Sequence, residues 1–284
     1  MKEPLPAIRN GWIRILLFIL AYVICFTVIG TVLGMMMVTR QIQVSPETMS
    51  SITMKILVLN ALVSLLLVSL FRILLDKKSV PSLGLIPITK DALLGLMLAI
   101  AIMGIGTLIL FASGNLLWTD WAFDAGNFFL LFGFMLLVAF GEEMVYRGYI
   151  LNNLLTVTNQ WAALAISALL FAVMHASNAG INVIAIFNLF IAGVLLGLNY
   201  IYTKNLWFSI AFHFGWNFIQ GPVLGYEVSG LDINNVLQPE LHGNPLLTGG
   251  SFGFEGSILF TVLSLVSIMI LYLAFEKRKA ADNT

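Results

Sequence analysis

Apolar residues fall along this chain in eight blocks, separated by short polar or charged stretches. They cover Trp12–Val38, Ile56–Leu75, Ala92–Ser113, Phe128 to beyond Ile150, Ala162–His175, Ile181–Tyr202, Leu206–Gln220 and Ile258–Phe275. None alternates apolar with polar positions as a barrel strand does, and an open strand would leave its backbone groups unpaired in lipid. A helix of about 20 residues crosses a hydrocarbon core. The pattern predicts an all-α, polytopic membrane protein with about eight transmembrane helices. The first block is too long for a signal peptide and shows no small-residue cleavage site, so it reads as a retained span.

Composition agrees with the pattern. Of 284 residues, 60% are hydrophobic and 10% charged, whereas a soluble domain carries roughly a quarter charged residues. The 14 Lys and Arg balance the 14 Asp and Glu, so no basic stripe is available for phosphates. The expected partners are the lipid bilayer and a peptide or protein at the membrane, not nucleic acid. Oligomeric state is not readable. Cys25 is the single cysteine, which excludes an intrachain disulfide.

Charge placement orients the chain. An even number of spans puts both termini on one face, and with them fall Lys2, Arg9, Arg14, Arg72, Lys77, Lys78, Lys90, Lys204, Lys277, Arg278 and Lys279. The opposite face has Arg40 and Lys55, and its long loop from Val223 to Gly256 carries Glu227, Asp232, Glu240 and Glu255 without any Lys or Arg. The positive-inside rule then makes both termini cytoplasmic, in a protein of the cell membrane. The chain divides into two N-terminal spans (1–80), a core (81–276) and a basic tail (277–284). The glycine-rich loop before the last span is expected to be functional or mobile.

Against this apolar background some residues stand out, because a charge at the bilayer centre costs at least a few kcal/mol on insertion scales. The fourth block reads Glu142-Glu143-Met144-Val145-Tyr146-Arg147. Glu143 and Arg147 lie four apart and can pair along one helix face, which marks them as supporting structure. Glu142 points about 100° away and is left for another task. The fifth block ends Phe171-Ala172-Val173-Met174-His175, and the seventh carries His213 and Asn217 on one face. The third histidine, His242, sits in the glycine-rich loop and reads as solvated. Asn178, Asn182, Asn188 and Asn199 read as packing or loop contacts. Any one intramembrane His or Asn could simply bond a neighbouring helix. Together, Glu, two His and Asn are the groups needed to activate a water and to bind the oxyanion formed when it attacks a peptide bond. No Ser-His-Asp order or cysteine nucleophile is evident.

At these residues the sequence resembles the CAAX protease and bacteriocin-processing family of intramembrane endopeptidases. That family is marked by Glu-Glu-x-x-x-Arg, Phe-x-x-x-His and His-x-x-x-Asn/Asp on successive core helices. All three are present in order as Glu142 to Arg147, Phe171 to His175, and His213 to Asn217. The resemblance spans roughly residues 80 to 275. It implies that Glu142 activates water with His175, and that His213 and Asn217 face the oxyanion. It also favours a scheme without metal; the alternative is zinc held by Glu142, His175 and His213, with a fourth position open. The same four residues serve either scheme.

Two other classes compete. A transporter would use buried acids as ion carriers and show matched sites in both halves, but the first three blocks carry no buried acid. A non-proteolytic immunity or regulatory protein could keep the fold and bind a partner. One expectation stands in tension with the site. At about 1.5 Å per residue, Glu142 and His213 come out shallow on the cytoplasmic side and His175 about 10 Å deeper. A fourth helix that extends past the membrane, or a fifth that begins later than Ala162, would bring them together, with the site opening toward the cytoplasm.

Overall fold

A computed structural model describes residues 5–39 and 45–282; Lys2, Arg40 and the last two residues of the basic tail lie outside the described residues. The chain forms α1 (Gly11–Thr39), α2 (Pro46–Leu74), α3 (Asp91–Ala112), β1 (Leu116–Trp121) and α4 (Ala125–Glu143). Beyond Glu143, α4 continues as a π-helical stretch (Met144–Leu151) and one α-turn (Asn152–Leu154). Then follow α5 (Gln160–Met174), α6 (Val183–Thr203), α7 (Trp207–Phe218), β2 (Leu237–Leu241) and α8 (Ile258–Asp282).

Each apolar block has become a helix, so the fold is an all-α polytopic membrane bundle. Among the described residues, six helices are long and apolar enough to cross a membrane: α1, α2, α3, α4 with its continuation, α6 and α8. Helix length alone does not confirm the count of eight, because α5 has 15 residues and α7 only 12. α7 is largely buried, whereas α5 buries one face and exposes Trp161, Leu169 and Val173 on the other. In the loop leading into α7, Asn205 and Leu206 are buried and the Leu206 amide donates to the Gly84 carbonyl at 3.0 Å.

Side-chain caps set several helix starts. Asp124 accepts from the Asn127 amide, Asn159 from those of Trp161 and Ala162, and Asn182 from that of Ala185. Asn182 thus has the local contact expected of it. Asn188 also bonds neighbours: its Nδ2 donates to the carbonyls of Glu255 and Ser257, both at 2.8 Å.

On the terminus face, α1, α2 and the end of α4 are tied by buried ions. Asp76 lies 3.1 Å from Arg14 Nε and 2.9 Å from Arg72 Nη1, and Asn153 Nδ2 donates to the same carboxylate at 3.3 Å. On the opposite face the long loop is ordered. β2 pairs antiparallel with β1, with an irregularity between Trp118 and Asp120, and Ser229 and Gly230 turn with positive φ below them. Gly253, at φ +97°, passes so close to the Glu227 carbonyl that a Cβ would overlap it.

α5 and α6 approach closely at Gly193, where an added Cβ would stand 2.7 Å from Ala168 Cα. Gly193→Val should therefore lower stability by about 1–3 kcal/mol through overpacking. Gly104→Ala, which meets nothing within 4 Å, should leave the melting temperature of the detergent-solubilised protein unchanged; equal losses in both would contradict this packing.

Candidate active site

Glu143 is the most enclosed acid of the bundle. Its side chain and that of Arg147 are both 0% exposed, and Arg147 Nη1 donates to Glu143 Oε1 at 2.8 Å. Arg147 Nη2 donates to the Gly193 carbonyl at 3.2 Å, and the guanidinium lies over the Phe171 ring at 4.6 Å. One cation thereby ties α4 to α5 and α6. The expected pair is present, and it has a second partner that spacing could not show: His213 Nδ1 donates to the same Glu143 oxygen at 2.8 Å. A carboxylate accepts only, so this bond puts the proton on Nδ1 and turns Nε2 the other way.

Nε2 of His213 points toward Glu142. Glu142 Oε2 lies 3.9 Å from it and 3.7 Å from Nε2 of His175. His175 is the residue at which α5 ends, and its Nδ1 donates to the Phe171 carbonyl at 2.8 Å. Both imidazoles thus have Nδ1 held by an acceptor and Nε2 directed at one carboxylate oxygen. Asn217, one helical turn beyond His213 on α7, lines the same cavity. The separations of 3.7 and 3.9 Å exceed a direct hydrogen bond.

The expected separation in depth does not keep the groups apart: the fourth helix runs on to Leu154, and Glu142, His175 and His213 meet at one cavity. The structure brings Glu142, Glu143, Arg147, His175, His213 and Asn217 together. His242 stands apart, 44% exposed beside Glu240.

Glu142, His175, His213 and Asn217 border a cavity of about 1210 Å³. α1 and α2 supply part of its wall through Tyr22, Asn60 and Ser64. A second acid, Glu255, also lines it, 7% exposed. Glu255 Oε1 accepts from the Ser229 hydroxyl at 2.6 Å and Oε2 from the Trp216 indole at 3.3 Å. Burial pushes its carboxyl above the usual range, against the pull of those donors. Sequence reading placed Glu255 in a loop and gave it no role; its only signal was an acid set among glycines and phenylalanines. Among the described residues, no group of three His, Cys, Asp or Glu is arranged to hold a metal ion.

The fold and the site together define a polytopic all-α membrane protein with a carboxylate and two imidazoles converging at one cavity. Residues 124–219 match the Rce1-like family, described as type II CAAX prenyl endopeptidase Rce1-like. The match runs from the cap of α4 to the end of α7 and contains every motif residue named above. It supports the resemblance read from the motifs and, in general terms, an intramembrane endopeptidase of the CAAX type. Comparison with curated proteins and with solved structures gives no match for the chain.

Breaking the central pair tests its structural weight. Arg147→Met leaves a buried carboxylate with one donor fewer and should cost about 3–5 kcal/mol. The double variant Glu143→Gln/Arg147→Met should recover part of that loss in thermal unfolding, and strictly additive losses would count against a coupled pair.

Proposed function

We propose that this protein hydrolyses a peptide bond at the membrane by a water that Glu142 and His175 activate, with His213 and Asn217 stabilising the oxyanion. The observation that carries this reading is the approach of two imidazole Nε2 atoms to one Glu142 oxygen at 3.7 and 3.9 Å. Those separations suit a water bonded between the groups rather than direct contact.

In this reading Glu142 takes a proton from water as the water oxygen attacks the carbonyl carbon of the peptide. The carbonyl oxygen becomes an oxyanion, to which Asn217 donates through its amide. His213 donates there too when Nε2 carries a proton, and the Glu143 carboxylate at Nδ1 stabilises the resulting imidazolium. The tetrahedral intermediate collapses as the C–N bond breaks, and the proton held by Glu142 passes to the leaving amine, with His175 assisting the transfer. Glu143 and Arg147 hold His213 and do not touch the substrate.

No step is routed through zinc. Glu142, His175 and His213 are the residues that would hold it, and a bound zinc would then polarise the attacking water. The substrate is a peptide segment of a protein at the membrane.

Glu142→Gln should lower processing by about 10²–10⁴-fold, the usual worth of a general base, at unchanged protein abundance. Asn217→Ala should lower it by about 10²–10³-fold. Comparing membrane proteomes of wild-type and Glu142→Gln cells reads both processing and its target. Processing that survives alanine at Glu142, His175, His213 and Asn217 would turn the reading to a non-proteolytic regulatory protein. Processing by purified protein should also persist in a chelator, and loss restored by zinc would establish the metal scheme.

A further inference from the structure

The two faces of the bundle differ in how they treat the cavity. On the terminus face the route inward is sealed. Arg14, Arg72, Asp76 and Asn153 are all buried in the ion cluster, and the Tyr200 hydroxyl donates to the buried Leu83 carbonyl at 3.0 Å. Every residue from Met144 to Leu151 is buried as well. No residue of the terminus-face loops at 75–90, 155–160 or 204–206 lines the cavity.

The opposite face is the open one. The cavity lining continues from Glu142 along Leu131, Phe134 and Val138 of α4 to Asp124 and Asn127 at its start, and to Asp232 and Asn234 in the long loop. Asp232 and Asn234 are exposed. The Ser50 hydroxyl donates to the Asp232 carbonyl at 3.0 Å, so the starts of α2 and α4 and this loop share one rim. The cavity thus opens on the face opposite the termini, whereas depth counted from the terminus face pointed to an opening on that side.

The charges say which face this is. Among the described residues, ten Lys and Arg belong to the terminus face: Arg9, Arg14, Arg72, Lys77, Lys78, Lys90, Lys204, Lys277, Arg278 and Lys279. Among the described residues the open face has one Lys or Arg, Lys55, together with Asp120, Asp124, Glu227, Asp232 and Glu240; the sequence adds Arg40. Such a bias sets orientation, with the basic face in the cytoplasm.

We propose that the substrate is a peptide segment on the extracytoplasmic side of the membrane, part of a secreted or membrane-anchored protein, and that it reaches Glu142 through the rim formed by α2, α4 and the long loop. The identity of this substrate rests on the peptidase reading; the access route does not. In a Cys25→Ser background, single cysteines are placed at the rim (Asn234→Cys), inside the cavity (Ser177→Cys and, deeper, Asn60→Cys) and on the terminus face (Lys279→Cys). A membrane-impermeant methanethiosulfonate then probes intact cells and inverted vesicles, with protein abundance measured for each variant. Rim and cavity positions should react in intact cells, and Lys279→Cys only in inverted vesicles. Reaction of the rim from the cytoplasmic side overturns the orientation. A reactive rim with both cavity positions unreactive from that side overturns the route. Because labelling does not depend on hydrolysis, a protein that labels as expected but cleaves nothing would reject the peptidase reading and leave the access route standing.

Discussion

A carboxylate that is fully enclosed in a membrane bundle must be matched by donors, or its burial would unfold the region around it. Glu143 is that carboxylate, and its match is spread over two helices. Arg147 reaches it from the π-helical stretch of its own helix, and His213 from α7. The arginine in turn requires the Gly193 carbonyl of α6 and the face of Phe171 on α5. Four helices are thereby placed by one charge, and α5 and α6 meet closely at Gly193, the residue whose carbonyl accepts from the guanidinium. The π-helical stretch belongs to the same constraint. It begins directly after Glu143 and shifts the backbone where the acid and the arginine must meet, as such stretches often do at functional sites.

The consequence for chemistry is orientation. A histidine ring has two nitrogens, and whichever bond one of them makes decides what the other offers. Here both rings are anchored through Nδ1, one by a carboxylate and one by a backbone carbonyl, and both present Nε2 to Glu142. The anchoring of His175 follows from its place at the end of α5, where the Phe171 carbonyl has no further turn of helix to serve. The motif spacing of four thus has a local cause, since residue and carbonyl donor-acceptor partners sit one turn apart.

Much of this was legible in the sequence, because polar groups in apolar blocks are conspicuous. Glu142, His175, His213 and Asn217 stood out on those grounds, and the blocks themselves located every helix. Boundaries were harder. α2 begins at Pro46, ten residues ahead of its apolar block, because a helix can extend into polar sequence once its apolar part is packed. The two short helices looked like spans because hydropathy measures apolarity and does not tell lipid from protein as its cause. Contacts between distant segments were hidden altogether. The bond between Glu143 and His213 joins residues 70 positions apart, and no periodicity reports it. Tyr22, Asn60 and Ser64 are unremarkable in membrane helices and became part of the cavity only through packing. The pairing of β1 with β2 was equally hidden, since Leu237–Leu241 is only five residues long, includes Pro239 and lies far from its partner in sequence.

The ion cluster around Asp76 bears on how such a chain assembles. Asp76 and Arg72 arrive on α2, Arg14 on α1, and Asn153 only when α4 has been completed. Until then the first two helices carry the acid and its two basic partners at the membrane boundary, where water can solvate them. Docking of α4 adds Asn153 to the Asp76 carboxylate and covers the cluster on the terminus face. The cavity therefore gains its floor on that face only once α4 is in place, because the first hairpin alone does not supply it.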